Sequence, residues 1–313
     1  MKTTTTILAV LAVSVALAAP AAAAISVGAD QTFGTQNYRG TKANASIDVT
    51  DSLYIAPTFA TYRTDNSSGS LYQGGLRIGY EAGPLSLGVT GAFVPKNDGY
   101  KQNSVGADFT FFLSPGGSRH GRRTAEPAPL AIDTYGYGLD GIEIGGSINH
   151  VTHSDDYEAN GTSGDALRQQ GALRANRFTV GETDLQAFAG LQFMVTEISA
   201  SVSKSVYDKS LDNNLVRESP FMPMGGFSAI EAGFPDSNYH IKAKWVMLPF
   251  VKPYVSFTHT NFKLGSAPSN ATELGVNVGL DMLNLKGAYG HYGQNGFTSR
   301  NYFTLGASLN FGA

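Results

Sequence analysis

Three lysines lie close together in the last quarter of the chain, in a pattern that could attract anions. Lys242 and Lys244 occupy alternate positions of one apolar–polar run, and Lys252 occupies a similar position in the next run. Alternate side chains of an extended strand point to the same side, so we expect the three ammonium groups on one face of two adjacent strands. In surroundings of low dielectric constant, such a face raises the local concentration of anions. The alternative is that these lysines pair with neighbouring acids and only stiffen the structure.

Charged residues of both signs occupy the polar sides of several other alternating runs. These side chains would line a polar interior if the runs formed a closed wall of strands. The residues predicted to line it are Arg77, Asp108, Asp184, Lys242, Lys244, Lys252 and Lys286, and further acids on such polar sides are Asp30, Asp48 and Glu197. This set predicts selection of solutes by charge and requires no covalent chemistry.

The most chemically varied segment is residues 150–156, which could support catalysis or metal binding. It contains His150, His153, Ser154, Asp155 and Asp156. The pattern is unspecific, because connections are generally rich in Ser and Asp and the sequence identifies no partner residue on another segment. The chain also has no phosphate-binding Gly-rich loop between a strand and a helix, and no zinc-type ligand spacing. We therefore predict no catalytic residues, no metal site and no cofactor.

Alternation of apolar and polar residues continues from residue 25 to the end of the chain. About fourteen segments show it, each near the ten residues that a tilted membrane-spanning strand requires. The last of them has on one side the apolar residues Phe303, Leu305, Ala307, Leu309 and Phe311. An entirely apolar side opposite a polar side suits a wall with lipid on one side and water on the other. Taken alone, this run could also belong to a soluble β-sandwich.

The N-terminal residues have the features of a secretory signal peptide. Lys2 precedes an apolar run at residues 7–19, which is too short to cross a bilayer as a helix, and small residues at 22–24 provide a cleavage site. We predict a signal peptide at residues 1–24 and a single mature domain at residues 25–313. The mature part has no apolar run near the roughly 18 residues of a helical span, and the chain has no Cys. Neither helical membrane spans nor disulfides are therefore expected.

The end of the chain resembles the C-terminal signal of bacterial outer-membrane β-barrels. In that signal a polar residue and a Gly precede two spaced hydrophobic residues, a pattern matched by Thr304, Gly306, Leu309 and Phe311. Residues 312–313 depart from the pattern, because the family usually ends on the aromatic residue. No specific subfamily is identified.

The terminal signal, the signal peptide and the alternating runs together predict an all-β fold, a transmembrane antiparallel β-barrel. The resemblance implies a porin-like protein in the outer membrane of a Gram-negative-type bacterium. We predict about fourteen strands in up-and-down meander order, with twelve or sixteen as alternatives. The terminal strand is expected to pair with residues 25–33 and to engage the barrel-assembly machinery. The outer surface is expected to contact outer-membrane lipid and lipopolysaccharide, and a monomer is favoured.

Composition agrees with a barrel and argues against nucleic acid as a partner. Charged residues make up 15% of the chain, below the roughly 25% of globular proteins. The mean hydropathy of −0.11 suits strands that have one face in water. The net charge is −3, and removing Lys2 with the signal peptide gives −4 (−3 minus 1). Nucleic-acid-binding proteins generally carry a basic excess instead.

The predicted connections alternate between short turns and long loops, as in barrels with periplasmic turns and external loops. The short turns fall at 50–52, 81–84, 195–196, 248–250 and 281–282, and the long loops at 63–70, 94–100, 154–182 and 208–239. The connection at residues 114–131 lies on the short-turn side but is long. We predict a periplasmic excursion here, and a missed pair of strands is the alternative.

These features predict an outer-membrane channel for passive diffusion of small polar solutes. An apolar stretch at residues 220–230 could narrow its mouth, and the constriction residues would be Phe221, Met222, Met224 and Phe227. The alternatives for this stretch are an entry patch for hydrophobic solutes or an additional strand at 227–234. A transporter of hydrophobic, fatty-acid-type solutes is therefore the second hypothesis. A surface enzyme or adhesin that uses the loop at 154–182 is the third.

Overall fold

The residues described by the computed structural model form one continuous antiparallel sheet. They are residues 24–63, 70–97, 100–113, 141–156, 177–193, 195–209, 234–246, 248, 250–263, 267–280, 282–296 and 298–311. The predicted signal peptide, apart from Ala24, and the stretches 114–131 and 220–230 lie outside the described residues. The described part of the chain contains no helix that is long and apolar enough to cross a membrane.

Fourteen strands are present in the described residues. In chain order they are β1 (Ile25–Gly34), β2 (Arg39–Asp48), β3 (Leu53–Arg63), β4 (Leu71–Ala82), β5 (Leu85–Asn97), β6 (Tyr100–Leu113), β7 (Ile142–Asp156), β8 (Arg177–Phe193), β9 (Thr196–Tyr207), β10 (Pro235–Trp245), β11 (Val251–Phe262), β12 (Ser269–Leu280), β13 (Leu283–Gln294) and β14 (Arg300–Phe311). The shortest has 10 residues and the longest 17. All are therefore long enough to cross the hydrocarbon of a bilayer at a tilt.

The sheet closes on itself because the first and last strands pair. Ile25 lies opposite Phe311 and Phe33 opposite Phe303, and every other strand pairs with its two sequence neighbours. The predicted fourteen-strand, up-and-down barrel is confirmed, as is the pairing of the terminal strand with residues 25–33. Since each described strand has two hydrogen-bonded neighbours, none of them exposes an unpaired edge to lipid.

The two sides of the sheet differ in polarity. Outward-facing positions carry large apolar side chains that are exposed, such as Val105 (59%), Leu274 (56%) and Val89 (56%). The intervening positions face the interior and include most of the buried polar and charged residues. A continuous apolar outer surface is stable in contact with lipid, which explains why these side chains are not covered by protein.

One end of the barrel carries the predicted long loops and is called the loop end, and the other carries the short turns and is called the turn end. Several strands extend further toward the loop end than the sequence pattern predicts. β7 runs to Asp156 and β8 begins at Arg177, whereas the pattern predicts a connection at 154–182. β10 begins at Pro235, inside the connection predicted at 208–239. Beyond the lipid both faces of a strand meet water, so the hydrogen-bond ladder continues without the apolar alternation that would reveal it in the sequence.

The long connection on the turn side joins two strands that are neighbours in the wall. β6 ends at Leu113 and β7 begins at Ile142, and the two pair with each other along their lengths. The wall therefore has no additional strand pair between β6 and β7. This excludes the missed pair of strands from the barrel wall, and the predicted periplasmic excursion at 114–131 lies outside the described residues.

Engineered disulfides can test the closure, because the chain has no natural Cys. Ala29 and Ala307 lie directly opposite each other on β1 and β14. We expect the pair Ala29→Cys and Ala307→Cys to crosslink on oxidation, since opposed residues have Cβ atoms about 4.5–5.5 Å apart. The control pair Ala29→Cys and Phe303→Cys is displaced by four residues along β14 and should stay reduced. Mass spectrometry of the free thiols measures both, and equal crosslinking would contradict the register.

Candidate functional site

All seven charged residues predicted to line the interior lie at inward-facing positions of the barrel. Their neighbours along the strands face outward and are exposed, for example Ile241 beside Lys242 and Ile78 beside Arg77. They come from six strands: Arg77 from β4, Asp108 from β6, Asp184 from β8, Lys242 and Lys244 from β10, Lys252 from β11 and Lys286 from β13. The barrel thus places residues that are distant in sequence on one internal surface.

Arg77, Asp108 and Tyr54 form a hydrogen-bonded cluster on this surface. Arg77 donates from Nη1 to Asp108 Oδ2 at 2.6 Å and from Nη2 to Asp108 Oδ1 at 2.7 Å, and its Nε donates to the Tyr54 hydroxyl at 3.0 Å. The Arg77 and Asp108 side chains are 4% and 1% exposed. A bidentate, charge-assisted pair of this kind is strong, and it ties β3, β4 and β6 together across β5.

Two inward-facing glycines make this cluster possible. Gly79 on β4 lies opposite Tyr54, and Gly88 on β5 lies opposite both Gly79 and Asp108. A Cβ atom at Gly79 would overlap the Tyr54 ring, and one at Gly88 would overlap the Arg77 guanidinium. The missing side chains leave a trough across the strands, through which Arg77 reaches Asp108.

A tyrosine that the sequence pattern did not identify lies beside two inward-facing lysines, Lys242 of the predicted cluster and Lys286. Lys242 Nζ lies 4.1 Å from the centre of the Tyr254 ring, and the Tyr254 hydroxyl donates to Glu273 Oε1 at 2.6 Å. Lys286 Nζ lies 5.9 Å from the centre of the same ring and 3.9 Å from Glu273 Oε1. Because an aromatic face attracts cations, Tyr254 helps to hold two ammonium groups near each other.

The other two lysines extend this cluster toward the turn end of the barrel. Lys244 Nζ lies 3.0 Å from Glu197 Oε2 on β9, and both side chains are buried. Lys252 lies within electrostatic range of Lys244 and Glu197. The Lys244–Glu197 and Lys286–Glu273 contacts agree with the wall-stiffening alternative. Among the residues that the structure describes, however, the inward positions of β9 to β13 carry four lysines and two carboxylates, Glu197 and Glu273, so lysines outnumber acids in this sector.

A second buried network lies at the loop end of β7, β8 and β9. His153 Nε2 lies 2.8 Å from Glu182 Oε2, and the Tyr207 hydroxyl donates to Glu182 Oε1 at 2.9 Å. On the same inner face, Ser205 donates to Asp184 Oδ1 at 2.5 Å. The sequence pattern identifies His153 and Asp184 but not Glu182, because the partners of Glu182 lie on other strands.

The segment that could support catalysis or metal binding is divided between the two sides of the wall. His150 and Ser154 occupy outward positions opposite Thr183 and Thr179, whereas His153 faces the interior. In the described ranges, no group of three His, Cys, Asp or Glu side chains could hold a metal ion. The two histidines therefore do not meet at a common site.

Other candidate residues fall outside what the structure describes or were missed by the sequence pattern. The predicted constriction residues Phe221, Met222, Met224 and Phe227 lie outside the described residues. Tyr54, Tyr254 and Glu273 were missed, although each holds an interior cation in place. The signal that identifies the tyrosines is an inward glycine directly opposite on the next strand, and it becomes visible only when the register is known.

Comparison with known proteins bears on the fold. No protein-family model and no curated protein matches the chain. Among solved structures, the CymD monoaromatic hydrocarbon channel matches with a TM-score of 0.52 and 8% identity, over 93% of this chain and 89% of that one. OmpT of Vibrio cholerae matches with a TM-score of 0.48 and 10% identity, over 93% of this chain and 99% of that one. CdiB from Acinetobacter baumannii matches with a TM-score of 0.49 and 9% identity over 93% of this chain, which spans 60% of the CdiB chain.

The chain is a bacterial outer-membrane β-barrel. The closed antiparallel wall, its exposed apolar outer surface and the similar fold of CymD all support this, and the protein belongs in the outer membrane of a Gram-negative bacterium. In such barrels the short turns face the periplasm and the longer loops face outward. Lys244 is next to the turn end of β10 and Lys252 next to the turn end of β11, so the lysine cluster lies in the periplasmic half.

Breaking the buried Arg77–Asp108 pair is expected to destabilise the barrel. Asp108→Asn leaves the guanidinium buried beside a neutral amide, so we expect the free energy of unfolding to fall by about 3 kcal/mol. Adding Arg77→Gln removes the buried guanidinium charge that has lost its carboxylate partner and should restore part of that loss. Urea unfolding in lipid vesicles, followed through the fluorescence of the single Trp, measures both variants. A loss below about 1 kcal/mol for Asp108→Asn would show that water already solvates the pair.

Proposed function

We propose that this protein is a monomeric, passive channel for small polar solutes that prefers anions. The observation that carries the proposal is the lysine sector on β10, β11 and β13, which faces the interior of the barrel. The mechanism requires no energy source, covalent step or cofactor. Solutes diffuse through the barrel and are sorted by their size and charge.

The number of strands supports a water-filled interior. Barrel diameter grows with strand number: side chains fill an eight-stranded barrel, whereas barrels of sixteen to eighteen strands contain an aqueous channel. With fourteen strands, this protein lies toward the channel-forming end of that range. Its inward positions carry polar and charged side chains, which favour water in the interior.

Acids predominate in one sector of the inner wall and lysines in another, which supports selection by charge. Glu143 lies on β7 and Glu182 and Asp184 lie on β8, while the four lysines lie on β10, β11 and β13. An anion in the interior is attracted to the lysine sector and repelled by the acidic sector. The surrounding wall and lipid have low dielectric constants, so these interactions are stronger than they would be in bulk water.

Ion selectivity in planar bilayers tests the role of the lysine sector. Lys242→Glu, Lys244→Glu and Lys252→Glu in one protein change the charge of these three positions from +3 to −3. We expect the ratio of anion to cation permeability to fall by about an order of magnitude, because the local anion concentration falls. Lys204→Glu is the matched control, since Lys204 lies on the neighbouring β9 but faces outward with a side chain 54% exposed. The control should leave the ratio unchanged.

Two results would contradict this proposal. Folded protein that gives no stepwise conductance in the bilayer is not a channel. If conductance is present but the triple substitution leaves the selectivity unchanged, the lysines do not face the permeation path.

Transport of hydrophobic solutes is a second candidate function, and an aromatic cluster inside the loop end of the barrel favours it. The cluster is buried and consists of Tyr38, Tyr62, Tyr292 and Tyr302 with Leu71, Val94, Ala60 and Ala271. The rings of Tyr38 and Tyr302 meet edge to face, with centres 5.2 Å apart. CymD, which has a similar fold at 8% identity, is described as a monoaromatic hydrocarbon channel.

Uptake of an aromatic hydrocarbon by cells that express the protein tests this second function. If the aromatic cluster is an entry site, Tyr38→Ala with Tyr302→Ala should reduce saturable uptake and leave anion conductance in bilayers unchanged. Tyr80→Ala is the control, because Tyr80 faces lipid and is 48% exposed. Uptake that does not depend on the protein would remove this candidate.

A further inference from the structure

Two arginines lie directly opposite each other on the outer face of the barrel. Arg39 begins β2 and Arg63 ends β3, and the register pairs them. The adjacent positions Gly40 and Tyr62 are buried on the inner face, so the two arginine side chains face outward, where both are exposed. Directly opposed residues have Cβ atoms about 4.5–5.5 Å apart. The two guanidinium groups therefore share a small area of the outer surface.

Like charges in this arrangement are unfavourable unless an anion accompanies them. Arginine stays protonated at physiological pH, and directly opposed like charges destabilise a strand pair. Within the described part of the chain, no carboxylate contacts Arg39 or Arg63. On the opposite side of the barrel, Lys204 and Lys263 share the carboxylate of Asp236 at 2.7 and 2.5 Å. Among the described residues, no acid of that kind accompanies the arginine pair.

The arginines lie at the level where lipid headgroups are expected. They occupy the loop end of their strands, which faces outward in barrels of this kind. Along β3, the outward positions run from Phe59 through Thr61 to Arg63, so the arginine lies four residues, or about 13 Å along the strand, beyond an apolar side chain. Phe33 lies opposite Arg39 on β1 and is 44% exposed on the same outer face. An anionic group at the arginines is thus adjacent to the lipid-facing surface.

We propose that Arg39 and Arg63 bind a phosphate group of an outer-leaflet glycolipid, which in a Gram-negative outer membrane is lipopolysaccharide. The planar guanidinium presents paired N–H donors that match phosphate oxygens. One phosphate between the arginines neutralises their repulsion, and the acyl chains of the same molecule lie against the apolar outer face. This site is on the outside of the barrel and is independent of the proposed channel.

Binding of purified lipopolysaccharide to the folded, detergent-solubilised protein tests this proposal. Titration followed by native mass spectrometry gives the number of bound molecules and an apparent Kd. We expect Arg39→Gln with Arg63→Gln to raise that Kd about tenfold or more, because charge-assisted hydrogen bonds are lost. Lipopolysaccharide stripped of its phosphates should bind the native protein no better than it binds this variant.

A matched control separates the arginine pair from basic residues in general. Lys101 is exposed at an outward position of β6, opposite Ser154. Lys101→Gln removes one outward positive charge from the same end of the barrel, and we expect it to change the Kd by less than about twofold, as for an isolated surface charge. A change as large as that of the arginine variant would overturn the assignment to Arg39 and Arg63.

Thermal unfolding without lipopolysaccharide separates binding from a structural role. Since the opposed charges repel, the double Gln variant should melt at the same temperature as the native protein or higher. A lower melting temperature would show that the arginines stabilise the barrel by themselves and would overturn the proposal. Equal affinity of variant and native protein would overturn it as well. Full competition by inorganic phosphate at an equal phosphate concentration would show that the lipid is not recognised.

A second variant keeps the test decisive if the Gln variant does not fold. Arg39→Lys with Arg63→Lys retains both charges but loses the paired guanidinium donors. We expect its affinity for lipopolysaccharide to fall between those of the native protein and the Gln variant. An affinity equal to that of the native protein would overturn the role of the guanidinium groups.

Discussion

The pairing of β1 with β14 closes the sheet, and the arrangement of every other strand in the lipid requires this closure. Backbone N–H and C=O groups cannot be solvated in hydrocarbon, so an open strand edge there costs several kcal/mol for each unpaired group. The register from Ile25 opposite Phe311 to Gly34 opposite Tyr302 joins the first strand to the last along the whole of β1. Once the barrel is closed, each strand residue faces either lipid or the interior, so the outer side is mainly apolar and the inner side mainly polar.

Closure brings charged side chains together in a confined interior, and the wall contains the groups that stabilise them. Asp108 receives two hydrogen bonds from Arg77, and Glu197 pairs with Lys244. These contacts depend on small residues as much as on charged ones, because Gly88 leaves the space through which Arg77 reaches Asp108. Where lysines outnumber acids, as around Tyr254, the same confinement gives that part of the interior a net positive charge. On the outside of the barrel, the opposed Arg39 and Arg63 are the basis of the proposed phosphate site.

The fold was largely predictable from the sequence, whereas the site was predictable only in part. Each membrane-spanning strand has one side in lipid, and that contact produces the two-residue apolar period from which the strand number and the closing pair were inferred. The loop ends of β7, β8 and β10 were not predicted, because strands that project beyond the lipid lose this period. The inward direction of Arg77 and Lys242 followed from their place in the alternation. Their partners Tyr54 and Tyr254 did not, because they lie on other strands.

The order of apolar and polar residues is enough to predict that the chain forms a barrel, which side chains face lipid and which charges lie inside. These properties depend on the alternation within single strands and on local hydrophobicity. Which residues meet across the strands is known only from the folded barrel, because pairing depends on the register between strands and on irregularities such as the register shift between Pro235 and Ser237. That register sets Tyr54 against Gly79 on the inner face. It also sets Arg39 against Arg63 on the outer face, where two like charges that are 24 residues apart in sequence become neighbours (63 minus 39).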